Sequence, residues 1–438
     1  MPEGMLKKHY GGDQLKLKFV IIFTVIVLAS ILVFFALTEK RTGISRFFAK
    51  DQEYHYLTLR VMADAPGGGS ETSEVLSIIG RIPEGDDEKW FSEWNQFAER
   101  LEAKGNSLKN PISRGRALLR AHSYYRNAEY LLPSADPRRL PTFRKGRDAF
   151  YRGLDSLGVR YRHISVPYGD YKLHAVYYPG DGKPGKPLLL TCGGFDSTLE
   201  EQYFFFIKAA LDRGYSCLSF EGPGQGSIIR EQGLPFTYEW EKPTKAVLDE
   251  FLKLYKKPRK IVMIGASLGG YLAPRAAAFE KRIDGVVSFG ILYDFEEAAT
   301  RRIPNFVKFL INHGYRDIAR TLMNLKMKTD TTIRFGIHNA QWTLGVNDPV
   351  DVPKAMSKFK LAGVAGMIRC PVLIVAGEND HLVPAEQVEK LKNALVNAKS
   401  VTVRIFKSED GGGEHCQMGA FSIFHEALFD WLESGAIL

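Results

Sequence analysis

From about residue 187 to the carboxyl end, short apolar runs alternate with helical stretches, and that order leaves few folds open. "PLLLTCGGF", "YSCLSFEG", "KIVMIGAS", "DGVVSFG", "PVLIVAGEND" and "VTVRIFK" read as strands. Continuous Val/Ile/Leu runs are what strands covered on both faces look like. Between them lie "LEEQYFFFIKAALDRG", "WEKPTKAVLDEFLKLY", "GGYLAPRAAAFE" and "AEQVEKLKNALVNA", whose apolar residues recur at helical spacing. Strand–helix–strand order implies an open, mostly parallel sheet flanked by helices. Just upstream, "RHISVPYG" and "YKLHAVYYPG" alternate around a Tyr-Gly-Asp turn and read as a hairpin.

One junction in this pattern carries chemistry. Gly265-Ala266-Ser267-Leu268-Gly269 is a G-x-S-x-G sequence, with the strand "KIVMI" before it and a helix after it. The glycines allow a sharp strand-to-helix turn that lifts a serine hydroxyl clear of the sheet. Such a hydroxyl is a poor nucleophile until a base takes its proton. Of ten histidines, His415 is best placed, in the glycine-rich loop "SEDGGGEHCQMG" after the last strand. His338 and His313 fall in an insertion, His425 in the final helix, and His381 beside a candidate acid. That acid is Asp380, at the end of "PVLIVAGEND", with Glu378 as a stand-in and Asp294 as an outside alternative. A carboxylate there would fix the imidazole's tautomer and stabilise the imidazolium.

An oxyanion needs two backbone donors. Leu268 supplies one at the helix start, and "GGFDS" after the strand "PLLLTC" offers Gly194 and Phe195 as sources of the other. "FEGPGQGS" lacks the dinucleotide spacing; it reads as a loop lining the pocket, with Glu221 as a substrate contact. Pro274, inside the helix after Ser267, should bend it. There is no metal-ligand motif, and no cofactor is expected.

The rest of the chain divides by composition. "FVIIFTVIVLASILVFFAL", Phe19 to Leu37, is long enough to span a bilayer, which takes roughly twenty residues. The expected organisation is an N-terminal tail (1–18), a transmembrane helix (19–38), a linker (39–74) containing "APGGGSETS", a helical cap domain (75–158), core (159–293), an inserted lid (294–368) and core again (369–438). In the cap, Trp90, Trp94, Phe97 and Leu101 share one helix face. Residues 101–160 hold thirteen Lys/Arg against five Asp/Glu, most of the formal excess of +9. Such a block could face an acidic substrate, anionic lipid or nucleic acid; no nucleic-acid motif accompanies it, so a solvated helical face is the expected reading and no nucleic-acid partner is expected. Lysines and arginines flank the apolar span equally, so the charge rule sets no orientation. Four cysteines without framework spacing, and the absence of Asn-x-Ser/Thr, favour a reducing setting. The expected localisation is therefore a single-pass membrane protein with its catalytic domain on the cytosolic face.

"GASLGGYLAPRAAAFE", "GGFDSTLEEQYF", "FEGPGQGS" and "SRGRALLRAHSYYRNAEYLL" together resemble a branch of the α/β-hydrolases. That branch contains fungal enzymes that shorten polyketide pigment precursors and the bacterial dihydroxypseudo-oxynicotine hydrolase. The resemblance runs from about Val75 to the carboxyl end, and the order Ser…Asp…His agrees with it. It implies an α/β-hydrolase core under an N-terminal helical domain, with Ser267 as nucleophile, Asp380 as acid and His415 as base. It further implies hydrolysis of a C–C or ester bond in a polyketide-derived or other secondary-metabolite carbonyl compound. Acyl transfer or cyclisation by the same fold, and a catalytically silent binding module, are the alternatives. The expected partners are a small apolar or aromatic molecule, with walls from the basic module and from Phe306, Phe335 and Trp342, and the membrane; a homodimer stays open.

Overall fold

A computed structural model describes residues 46–182, 185–435 and 437. The eight expected strands form one sheet. β1 (Arg162–Tyr168) and β2 (Tyr171–Tyr178) make the hairpin. They are followed by β3 (Leu188–Cys192), β4 (Cys217–Glu221), β5 (Ile261–Ala266), β6 (Gly285–Phe289), β7 (Val372–Gly377) and β8 (Val401–Phe406). The order across the sheet is β1-β2-β4-β3-β5-β6-β7-β8. Only the β1–β2 and β2–β4 pairings are antiparallel. Every residue of β3, β5, β6 and β7 is buried, whereas the edge strands β1 and β8 keep exposed positions. That contrast is the physical content of their apolar runs: a central parallel strand is covered on both faces.

Each sheet face has its own core. One packs Val247, Leu248, Tyr271, Leu272 and Leu391 from the helices Glu241–Leu254, Gly269–Phe279 and Glu386–Ala394. The other packs the π-helical turn Tyr203–Ile207 and Phe424, Leu428 and Leu432 of the helix Phe421–Glu433. Pro274 lies within Gly269–Phe279, which runs through it unbroken. Proline cannot donate to the carbonyl four residues back. That carbonyl, on Gly270, instead accepts from the Ser288 hydroxyl of β6 at 2.8 Å, which keeps the helix intact and buried.

Before the sheet come α1 (Gln52–Ala63), α2 (Thr72–Ile79), α3 (Asp87–Ser107), α4 (Pro111–Glu129) and α5 (Arg139–Ser156). The linker expected over 39–74 is corrected wherever the structure describes it. α1 is buried along nearly its whole length, and "APGGGSETS" forms a short 3-10 turn leading into α2. α1 carries no single apolar stripe, because it is enclosed all round. Tyr54, Leu57 and Val61 join the core of the N-terminal helices, while Tyr56, Leu59 and Ala63 join a core of the sheet. Some of its polar groups are paired inside: the carboxylate of Asp51, which caps the helix, accepts from the N–H of Tyr54, and the Thr58 hydroxyl donates to the Tyr54 carbonyl.

The membrane-spanning helix expected over 19–38, and with it the single-pass membrane placement and the membrane as a partner, is likewise corrected. Among the described residues no helix is long and apolar enough to cross a membrane. Residues 19–38 lie outside the described residues. α3 is long enough at 21 residues, but charges such as Asp87, Glu88, Lys89 and Glu93 rule out a bilayer interior. Between β6 and β7 the chain passes through five helices, Phe295–Thr300, Asn305–Asn312, Arg316–Met327, Thr331–Leu344 and Val352–Met356.

Candidate active site

Four loops at the carboxyl ends of parallel strands converge, which is where open α/β sheets hold ligands. β5 ends at Ala266, and Ser267 follows it with φ 60°, in the left-handed region. A non-glycine residue there is strained by roughly 1–3 kcal/mol. The surroundings enforce it: the Ser267 N–H donates to the Phe289 carbonyl at the end of β6 at 2.8 Å. Glycine at 265 is compulsory, since a Cβ would fall 2.0 Å from the Gly269 carbonyl oxygen. The loop after β8 turns sharply past His415, with Cys416 at φ 52° and Gln417 at φ 47°.

These bends bring three side chains into line. His415 Nδ1 lies 2.6 Å from Asp380 Oδ2, and His415 Nε2 lies 2.9 Å from Ser267 Oγ. In the neutral imidazole, Nδ1–H donates to Asp380, and Nε2 accepts from the serine hydroxyl. Asp380 is held by its other oxygen, which accepts from the N–H groups of Leu382 and Val383 at 2.8 Å each. Burial alone would raise the Asp380 carboxyl, but the His415 ring offsets this and holds it below the usual range. Burial would lower His415, but Asp380 and Cys416 raise it well above the ordinary value of 6.5. The other sequence candidates are elsewhere. Glu378 accepts from the N–H of Ser408, Asp294 pairs with Lys360 at 2.6 Å, His313 stacks on Phe309, and His425 bonds the Phe205 carbonyl.

The loop after β3 faces Ser267 from the other side. The N–H groups of Phe195 and Leu268 have no hydrogen-bond partner among the described residues. Gly194 is corrected as an oxyanion donor: its N–H already donates to Ser197 Oγ at 2.9 Å. What Gly194 contributes is closeness, because a Cβ would sit 2.7 Å from that of Ser267. Glu221 is corrected as a substrate contact. Fully buried, it accepts from the N–H groups of Leu199 and Ser227 at 2.7 and 2.9 Å, and it ties two loops together behind the cavity. From the same region, Gln225 donates to the Gly193 carbonyl at 2.8 Å.

Residues that the sequence reading missed hold this loop in place. Arg60 of α1 donates to Asp196 Oδ2 at 2.6 Å and to Glu201. Arg126 of α4 donates to the Asp196 carbonyl at 2.7 Å, to Glu201 at 2.9 Å and to Glu129 at 2.7 Å. Burial would raise the Glu201 carboxyl, yet Arg126 and Arg60 hold it at about 2. Glu129 also receives Arg139 and Arg230. Part of the basic block thus faces inward onto carboxylates, which no count of charges along the chain reveals. Asn339, from the helices between β6 and β7, donates to the Phe195 carbonyl at 3.1 Å.

Ser267 and His415 open into a cavity of about 230 Å³, lined chiefly by apolar side chains such as Leu292, Phe295, Ile303, Ile333 and Phe335. Its helical walls come from the 294–368 segment and from α1, not from the basic block, which contributes only Tyr130. Phe335 stacks on Tyr130 at 4.5 Å. Trp342 instead covers Arg139, and Phe306 is not part of the lining. Cys416 also lines the cavity, its sulfur 3.5 Å from His415 Nε2. Among the described residues no group of three or more His, Cys, Asp or Glu side chains converges as a metal cluster would.

Comparison with known proteins agrees with this architecture. Residues 188–418 match the model of the alpha/beta hydrolase family. Hydrolase acrC of Aspergillus aculeatus is 32% identical over 418 residues, covering 89% of this chain and 97% of the relative. The 20-hydroxy-prefusarin hydrolase of Gibberella moniliformis is 32% identical over 414 residues, covering 89% and 97%. The crystal structure of the 2,6-dihydroxy-pseudo-oxynicotine hydrolase superposes with a TM-score of 0.66 at 21% identity, over 87% of this chain and 97% of that one, a likeness of fold. With more than half its length inside the family model and relatives of this identity along most of it, the chain belongs to the alpha/beta hydrolase family and is a hydrolytic enzyme.

Proposed function

We propose that this enzyme hydrolyses a C–C or ester bond next to a carbonyl in an apolar, polyketide-derived or similar secondary metabolite, with Ser267 as nucleophile, His415 as base and Asp380 as acid. The observation that carries the reading is the hydrogen-bond line Asp380–His415–Ser267, ending in an apolar cavity. Ser267 Oγ attacks the carbonyl carbon while Nε2 of His415 takes its proton. Asp380 stabilises the imidazolium so formed. The oxygen, now negative, meets the N–H groups of Phe195 and Leu268. His415 then returns the proton to the leaving group, whether an alkoxide or a carbanion stabilised by a neighbouring carbonyl. Water repeats the sequence on the acyl-enzyme. The apolar lining favours a bulky substrate with little charge, and a relative that is 32% identical carries the name of a hydrolase of 20-hydroxy-prefusarin.

The test is direct. The wild-type protein should label at Ser267 with a fluorophosphonate and turn over 4-nitrophenyl butyrate. Ser267→Ala should lose labelling and at least roughly 10³-fold in kcat. Full turnover by the alanine variant would end the reading.

A further inference from the structure

α1 turns Glu53, Tyr56 and Arg60, at spacings of three and four residues, toward the cavity. The Arg60 guanidinium is committed to Asp196 and Glu201. The Tyr56 hydroxyl makes no hydrogen bond among the described residues, although the residue is only 5% exposed. Its ring is fixed in place, edge-on to His381 at 4.8 Å and 6.2 Å from the His415 ring. Cys416, Arg60, Asp196 and Asp380 are the groups that act on its hydroxyl electrostatically. Burial first, and then the neighbouring Cys416, Asp196 and Asp380, keep the phenol neutral, so it presents an O–H donor to a cavity whose wall is mostly apolar. An unpartnered donor that a ligand can reach is satisfied by an acceptor the ligand brings, and the bond is stronger where the surrounding wall is mostly apolar.

We propose that Tyr56 is a substrate-binding residue whose O–H donates to a second oxygen of the substrate, distinct from the carbonyl oxygen held by Phe195 and Leu268. It thereby selects acyl compounds that carry an acceptor close to the reacting carbonyl. The ring lies against His381 and His415, on the base side of the nucleophile, so the two oxygens are held by different donors. The inference rests on Ser267 being the nucleophile and adds the feature that discriminates among its substrates.

A matched pair of probes tests it: ethyl 3-phenylpropanoate and ethyl 3-oxo-3-phenylpropanoate, which share a carbon skeleton and differ by one keto oxygen. Consumption of each is followed by chromatography, whichever bond breaks. The wild-type enzyme should prefer the oxo ester in kcat/KM by about tenfold or more. Tyr56→Phe keeps the ring and removes the donor. It should lose that preference, chiefly through a rise in KM for the oxo ester, while Ser267 still reacts with a fluorophosphonate. A preference retained in Tyr56→Phe, or no preference in the wild type, overturns the proposal. So does loss of Ser267 labelling in the variant, which would make Tyr56 a structural residue. Failure of the wild-type protein itself to label at Ser267 would instead bring down the nucleophile reading beneath it.

Discussion

His415 sits between two partners that use its two nitrogens differently. Asp380 accepts from one at 2.6 Å and raises the proton affinity of the ring, while Ser267 needs the other nitrogen free of a proton. The sign of the pH dependence follows. kcat/KM should climb as the imidazole loses its proton, with an acid-limb inflection above the ordinary histidine value of 6.5. The stability gained from the charged pair behaves oppositely. It is fully present below the unfolded histidine's pKa and fades as pH rises through the raised folded value. Asp380→Asn should lower kcat by roughly 10³–10⁴-fold and move the inflection to lower pH; a pH–rate profile measures both. An inflection at or below the ordinary value in the wild type would deny Asp380 this influence. At this scale the sequence offered Ser267, Asp380 and His415 as candidates because Ser267 follows β5 directly and the other two lie in the loops after β7 and β8. Tyr56 and Cys416 were not offered, since neither has a motif.

Among the elements, the helix Gly269–Phe279 shows how a local rule is broken and repaired. Pro274 removes the donor for the Gly270 carbonyl, and Ser288 replaces it from the adjacent strand. Ser288→Ala should leave that buried carbonyl unpaired, at a cost of about 1–3 kcal/mol. In a Pro274→Ala background the restored N–H can serve the same carbonyl, and the cost of losing Ser288 should shrink. Urea denaturation of the four proteins gives the coupling directly. Equal costs in both backgrounds would show that the hydroxyl does not stand in for the missing donor. α1 teaches the complementary lesson. A helix enclosed on every side has no stripe for periodicity to find, so "QEYHYLTLRVMA" was indistinguishable from a connecting stretch until its neighbours were known.

Across the whole molecule, the N-terminal helices and the sheet meet at a buried ion cluster. Arg60 and Arg126 reach from α1 and α4 to Asp196 and Glu201, in and beyond the loop that faces Ser267. Removing one charge strands the others in a dry interior. Arg126→Met should therefore cost about 3–5 kcal/mol and lower kcat as the loop shifts. Arg152→Ala, which breaks the more exposed pair with Glu102, should cost under about 1 kcal/mol. Thermal melts set beside turnover distinguish the two, and equal losses would remove the cluster's special standing. The succession of strands and helices along the chain, the turn at Ser267 and the triad candidates were legible in the sequence alone, because apolar runs, glycine spacing and strand ends are properties of neighbouring residues; the order of the strands across the sheet was not. The occupied N–H of Gly194, the inward use of the arginines and the presence of α1 above the nucleophile were decided only by the tertiary structure. They depend on which groups the fold brings together, three residues apart for Gly194 and Ser197 and 136 apart for Arg60 and Asp196, and hydrogen bonding and burial act on that proximity, not on composition or periodicity.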